Sequence, residues 1–300
     1  MKGFLHKFAL ALASDAKGFG KVEARCIWST RIVSRRLASG PARAYFHAMP
    51  LSTTLPRIAM RIVAAAWLGC CASFAAVAEE RCIVIDPGHG GAAVLDESSP
   101  NNATSPSGTR EKDLTLEMSL AVVAAIRDSE SAKKAHVVPR LTRETDVNVG
   151  MSERARIALS HSARVLVSIH FNASTNHTAR GPLGMVQDAG HGNQHVARDG
   201  EFANKLADAV SSVTRRHDPK SVRHGFLTDK ALKEGRGSFL FHHLRADSKG
   251  QDIPACFLEI EFIDNPEVEA WLIRGEKAKA IRAGIAQALA EALIDYAAKN

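Results

Sequence analysis

The chain has 300 residues, of which 45% are hydrophobic, 24% charged and 6% aromatic, and its formal net charge is +7. This composition excludes a disordered chain, a collagen-like chain and a small disulfide-rich scaffold, and the length allows one large domain or two small ones. The positive charge lies in the N-terminal part: residues 1–78 hold 11 basic residues against two acids, which leaves 28 basic and 30 acidic residues for 79–300. Because the larger part is near neutral, we expect no nucleic-acid partner.

The N-terminal part has the pattern of a secretory signal peptide. Over residues 57–78, Arg57 and Arg61 lead into an Ala-rich apolar run that ends at Ala76-Val77-Ala78. We therefore expect export to the periplasm or cell wall and no stable membrane span after cleavage. A retained membrane anchor and a lipid attached at Cys70 are the alternatives. Residues 1–56 are interpreted as an extension that is disordered or results from a misassigned start, and Met49 would give a signal of ordinary length.

Strands and helices alternate over residues 79–300, which we interpret as one folded domain. Apolar runs predict strands, and helical spacing predicts the segments between them. The strands are expected at 82–86, 137–141, 165–169, 183–187, near Phe226 and at 255–263, and the helices at 112–128, 151–160, 201–216, 238–244 and 281–296. The alternation predicts a single α/β domain with a largely parallel, twisted sheet of about six strands flanked by helices.

Two cysteines, Cys82 and Cys256, lie in the predicted domain, each near the start of a strand. An exported protein could join them in a disulfide. Their apolar neighbours favour two buried free thiols.

Three residues with metal-binding side chains stand at the ends of predicted elements. His89 follows the first strand in a glycine-rich turn, His170 ends the strand that begins at Val165, and Glu111 precedes a helix after a polar loop. Two histidines and one carboxylate form the donor set of a catalytic zinc site that keeps one position for water. The alternatives are ordinary hydrogen-bonded histidines and a carboxylate that faces a helix dipole. The position of both histidines directly after buried strands of one sheet favours the metal.

The last predicted strand contains two acids, Glu259 and Glu261, within an apolar run. Acids in such a strand are costly unless they have a partner, and a strand period of two places both on the same face. One of them could serve as the general base of a metal hydrolase. The alternative is a pair of acids on an edge strand.

Together these residues resemble the zinc-dependent N-acetylmuramoyl-L-alanine amidases of the Amidase_3 family. The resemblance rests on the order and spacing of six segments: IVIDPGHGG (83–91), REKDLTLEMS (110–119), LTRETDVNV (141–149), SERARIA (152–158), VSIHFNAS (167–174) and PACFLEIEFIDNPE (254–267). It implies that 79–300 is a zinc amidase catalytic domain and that His89, Glu111 and His170 bind zinc. It also implies that Glu259 is the catalytic carboxylate.

The same resemblance implies the substrate and the biological setting. The expected substrate is peptidoglycan, cleaved at the amide bond between N-acetylmuramic acid and L-alanine during cell-wall remodelling or daughter-cell separation. A protein activator is a further expected partner. The rival interpretations are a zinc peptidase that acts elsewhere on the stem peptide and an inactive amidase-like peptidoglycan binder or activator.

The sequence departs from the family pattern at two places. Glu261 stands where the family usually has a small residue, so it remains a possible second carboxylate and the roles of Glu259 and Glu261 stay open. The segment between His89 and Glu111 is longer than usual. Because its residues 92–109 are rich in Ser, Asn, Pro and Gly, we expect a loop without fixed structure that borders the metal site. Deleting 98–107 is then expected to leave folding and zinc content intact.

Overall fold

The computed structural model describes residues 79–232, 237–248 and 250–300. The predicted extension, 1–56, and the predicted signal peptide, 57–78, lie outside these ranges. Within the described ranges, no helix combines the length and the apolar character that crossing a bilayer requires.

Six strands form one sheet in the order β2-β1-β3-β6-β4-β5. The strands are β1 (Arg81–Pro87), β2 (Val137–Leu141), β3 (Val165–Asn172), β4 (Leu183–Val186), β5 (Phe226–Thr228) and β6 (Ala255–Phe262). The first four strands of that order are parallel, β4 runs antiparallel to β6, and β5 runs parallel to β4. This confirms the predicted six-stranded, largely parallel sheet. The carboxyl ends of β1, β3 and β6 consequently meet at one edge, where α/β proteins build their sites.

Seven α-helices flank the sheet in the described residues. They are α1 (Glu111–Asp128), α2 (Glu130–Lys134), α3 (Met151–Ser160), α4 (Val196–Thr214), α5 (Phe239–Ala246), α6 (Pro266–Glu269) and α7 (Ala278–Lys299). Helix α4 begins five residues before its predicted start and continues through Gly200. A Cβ atom at Gly200 would lie 2.4 Å from the ring of Phe226, so this glycine permits close packing of α4 on β5 and does not end the helix.

The strand side chains alternate between two apolar layers. On β1, Ile83 and Ile85 join the larger layer, which also contains residues of α1, α4 and α7, whereas Val84 joins a smaller layer with residues of α3 and α5. Cys82 belongs to the smaller layer and Cys256 to the larger one, and both are buried, free thiols. The two cysteines therefore lie on opposite faces of the sheet, which excludes the disulfide and confirms the alternative.

Candidate metal centre

The turn that follows β1 carries His89 toward the end of β3. His89 has a positive φ of 62°, and the next two residues are glycines with φ values of 135° and 63°. Gly88 precedes it, and a Cβ atom there would lie 2.4 Å from Cε1 of His170. Glycine at position 88 thus lets the backbone of the turn pass directly beside the His170 ring.

The structure brings the three predicted ligands together. His89, Glu111 and His170 are buried, and one ligand atom from each lies within 4.8 Å of the other two. Oε1 of Glu111 is 3.1 Å from Nε2 of His89 and 3.0 Å from Nδ1 of His170. Glu111 is the first residue of α1, so its carboxylate also faces the positive end of the helix dipole. Among the described residues, this is the one group of three or more His, Cys, Asp or Glu side chains close enough to share an ion.

Hydrogen bonds on the outer side of each ring determine which nitrogen carries the proton. Nδ1 of His89 lies 3.1 Å from the carbonyl oxygen of Ser99, which can only accept, so Nδ1 is the protonated nitrogen and Nε2 presents its lone pair. For His170, the outer partner is the hydroxyl of Ser168, 3.0 Å from Nε2. That hydroxyl donates its single proton to Asp86 over 2.5 Å, so Nε2 of His170 is the donor and Nδ1 presents its lone pair.

The charge state of Asp86 agrees with the assignment for His170. Burial alone would raise the pKa of Asp86, but the Arg154 guanidinium and the hydroxyls of Ser168 and Thr142 hold it below its ordinary value, so Asp86 is an acceptor. Burial would also raise the pKa of Glu111, and the two histidines lower it far below its ordinary value. Burial lowers the pKa of His170, which favours the neutral ring that a metal ligand needs. Burial would lower the pKa of His89, but the Glu111 carboxylate beside it raises that pKa above its ordinary value.

These residues fit a zinc ion. Two imidazole lone pairs and one carboxylate oxygen face one another at about hydrogen-bond distance, an arrangement that a cation between them stabilises. Nε2 of His89 is buried and makes no hydrogen bond in the structure. Two nitrogens and one oxygen form a donor set that catalytic zinc sites use, and the outer nitrogens of such histidines are characteristically hydrogen-bonded, as they are here.

Glu259 lies beside this cluster. It pairs with His170 across β3 and β6, and its Oε2 atom is buried without a hydrogen-bond partner. Burial, together with the negative charge of Glu111, raises the pKa of Glu259 well above its ordinary value. A carboxyl group with a raised pKa at the carboxyl edge of the sheet is suited to proton transfer.

Glu261 lies in different surroundings, so the prediction that both acids share one face is wrong. The β3–β6 register shifts after the His170–Glu259 pair, and this irregularity interrupts the alternation. The buried Glu261 carboxylate accepts hydrogen bonds from the Ser221 hydroxyl, from the Gly181 amide at 2.8 Å and from the Phe262 amide at 3.0 Å. β6 is an interior strand of the sheet, which also excludes the edge-strand interpretation.

The polar loop over residues 92–109 borders the cluster but has a defined structure, so that part of the prediction is wrong. Ser99 contacts His89, and the Ala103 amide donates to Oε2 of Glu111 over 2.8 Å. The Asn148 side chain donates to two loop carbonyls, each over 2.8 Å. Hydrogen bonds, rather than buried apolar surface, thus hold the loop in its conformation. A deletion of 98–107 would remove the Ser99 contact to His89 and the Ala103 contact to Glu111, so the structure predicts that this variant binds zinc more weakly.

Arg143 and Arg154 lie in the segments 141–149 and 152–158, whose pattern alone does not indicate a role for either side chain. Both are buried. Arg143 donates to the carbonyls of Pro87 and Gly88, and Arg154 donates to the carbonyl of His89. The spacing of the sequence does indicate that Arg154 is buried. Arg154 precedes the buried Ala158 by four residues on α3, which places the arginine on the buried face of the helix.

Comparisons with known proteins indicate the family of the chain. The profile of the Amidase_3 family, described as N-acetylmuramoyl-L-alanine amidase, matches residues 83–291. The N-acetylmuramoyl-L-alanine amidase AmiA of Escherichia coli K12 is 27% identical over 237 residues, which cover 72% of this chain and 76% of AmiA. The probable N-acetylmuramoyl-L-alanine amidase AmiB of Haemophilus influenzae is 25% identical over 247 residues, which cover 75% of this chain and 54% of AmiB.

Solved structures share the fold. The amidase Ami1 from Mycobacterium smegmatis aligns with a TM-score of 0.52 at 19% identity, covering 73% of this chain and 98% of Ami1. AmiC2 of Nostoc punctiforme aligns with a TM-score of 0.50 at 21% identity, covering 73% of this chain and 97% of AmiC2. At these identities the similarity shows the α/β architecture alone.

Proposed function

The chain belongs to the Amidase_3 family of N-acetylmuramoyl-L-alanine amidases, and from this premise we propose that it is a zinc-dependent hydrolase of peptidoglycan. The bond cleaved is the amide between N-acetylmuramic acid and L-alanine. The observation that carries the proposal is the convergence of His89, Glu111 and His170 within 4.8 Å, with both imidazole lone pairs directed at one carboxylate oxygen. The proposal includes export to the periplasm or cell wall and a role in wall remodelling.

His89, Glu111 and His170 would hold the zinc ion. Bound zinc supplies Lewis-acid polarisation of the scissile carbonyl and lowers the pKa of a water ligand. Glu259 is proposed to take the proton of the attacking water at its unpartnered Oε2 atom. It then delivers this proton to the amine nitrogen of the leaving L-alanine. The raised pKa of Glu259 helps the side chain to hold the proton between the two transfers.

The rival functions differ from this proposal in what they require. A peptidoglycan binder or activator without activity has no need of all three ligand residues together with the half-buried Glu259 carboxyl group beside them. A zinc peptidase would use the same centre, and its products would be cleaved within the stem peptide. Control by a protein activator stays a prediction.

Metal analysis of ligand variants tests the proposal. We expect the purified protein to bind about one zinc per chain, and His89→Ala and His170→Ala to lose both zinc and amidase activity. The matched control is His161→Ala, an exposed histidine at the end of α3, which should keep both. Full zinc content in both ligand variants would contradict the proposed site.

A further inference from the structure

Three buried side chains, Arg154, Asp86 and Ser168, connect helix α3 to both histidines of the cluster. Each has at most 1% of its surface exposed. The guanidinium of Arg154 donates to the Asp86 carboxylate and, over 2.9 Å, to the carbonyl of His89. Asp86 in turn accepts a hydrogen bond from the Ser168 hydroxyl, and the Ser168 hydroxyl oxygen accepts a hydrogen bond from Nε2–H of His170. One guanidinium thus contacts His89 directly and His170 through two side chains.

We propose that the chain Arg154–Asp86–Ser168 is a positioning device that holds the turn of His89 in place and holds His170 in the orientation and tautomer that metal binding requires. The proposal rests on the zinc centre proposed above. Arg154, Asp86 and Ser168 touch neither substrate nor the reacting atoms, so they act through the two histidines.

The backbone supports this assignment. Asp86 and Ser168 are direct partners in the β1–β3 register, so the sheet itself sets their side chains next to each other. The turn that carries His89 has a left-handed residue followed by two glycines, a conformation that needs external support. Arg154 supplies part of that support by donating to the carbonyls of Pro87, over 2.8 Å, and of His89. The same side chain therefore fixes the turn and the tautomer of the second histidine.

A purely stabilising ion pair explains these contacts less well. A buried ion pair contributes little net stability, because desolvation offsets the attraction of the charges. Here the N–H groups of the planar guanidinium donate hydrogen bonds in two places, to the Asp86 side chain and to the backbone of the His89 turn. Lysine has a single ammonium group and cannot reproduce that arrangement. The contacts are thus specific to arginine, which is what a positioning function requires.

The test compares zinc affinity and ligand geometry in four full-length proteins: the unsubstituted chain, Ser168→Ala, Arg154→Lys and the control Arg156→Lys. Arg156 lies on the same helix but is exposed and paired with Glu153. Zinc affinity is measured by competition with a chelator, and geometry by the visible spectrum of the cobalt-substituted protein. We expect Ser168→Ala and Arg154→Lys each to weaken zinc binding about 10- to 100-fold and to change the cobalt spectrum. Arg156→Lys should match the unsubstituted chain.

The outcomes separate this inference from the proposed function. If Ser168→Ala binds zinc within about twofold of the unsubstituted chain and has the same cobalt spectrum, the positioning role is overturned while the zinc site stands. The same result for Arg154→Lys would overturn the role of the guanidinium. If circular dichroism shows that Arg154→Lys is not folded, Ser168→Ala alone decides. If the unsubstituted chain itself binds no zinc, both the inference and the proposed function fail.

Discussion

Replacing Glu259 by glutamine should remove catalysis without weakening the fold. The substitution keeps the shape of the side chain but removes its ability to accept and return a proton. We expect kcat to fall at least about 100-fold, which corresponds to about 2.7 kcal/mol in activation free energy. Because Oε2 of Glu259 makes no hydrogen bond and the nearby charge of Glu111 opposes its ionisation, Glu259→Gln should not lower the free energy of unfolding.

The assay measures turnover of purified muropeptides, zinc content and urea unfolding of the same preparations. The matched control is Glu261→Gln, which alters an equally isosteric carboxylate whose partners are Ser221, Gly181 and Phe262. We expect Glu261→Gln to keep kcat within about threefold and Glu259→Gln to keep its zinc, since Glu259 is not among the three clustered ligands. Loss of turnover in Glu261→Gln with an active Glu259→Gln would refute the assignment, and activity in both would refute a carboxylate base in β6.

Three further predictions concern stability and thiol reactivity. Glu261→Ala should lower the free energy of unfolding by about 3 kcal/mol in urea titrations, because two amides and a hydroxyl lose their acceptor, and an unchanged midpoint would contradict this. The depressed pKa of Asp86 means that its ionised form contributes stability above the ordinary Asp pKa of about 3.9, and this stability is lost as pH falls through the lower folded value. Urea midpoints measured from neutral to acid pH should therefore fall less steeply for Asp86→Asn, and parallel curves would argue against it. Burial raises the pKa of Cys82 to about 11 and that of Cys256 above its ordinary value, so neither thiol of the native protein should react with iodoacetamide near pH 8. Peptide mass spectrometry should find both labelled only after denaturation, and rapid labelling of the native chain would contradict their burial.

Much of the fold could be predicted because interior strands of a parallel sheet are apolar on both faces. The runs at 82–86 and 165–169 therefore stand out as strands without any alternation. The residue pattern does not show the direction of a strand or its place in the sheet. For example, nothing in residues 183–187 indicates that β4 runs antiparallel to β6. The sequence does not indicate the start of α4, because Gly200 is ordinarily unfavourable inside a helix, whereas here close packing against Phe226 requires it.

The sequence predicts those parts of the candidate site that depend only on the order of elements along the chain. His89 follows β1 and His170 lies near the carboxyl end of the adjacent parallel strand β3, so their side chains had to meet at one edge of the sheet. The separation of Glu259 from Glu261 depends on a register shift between two strands, which a single strand's alternation does not reveal. The contacts of Arg154 depend on where α3 packs against the sheet, and sequence spacing gives its burial but not its partners.

Mass spectrometry of a peptidoglycan digest tests the central claim most directly. Purified sacculi would be incubated with the protein alone, with a zinc chelator, and with the chelator followed by added zinc. We expect release of intact stem peptides that begin with a free L-alanine amino group, with glycan strands that keep their N-acetylmuramic acid lactyl groups. This release should stop with the chelator and return with zinc. Products cut within the stem peptide, or release that the chelator does not affect, would contradict the account.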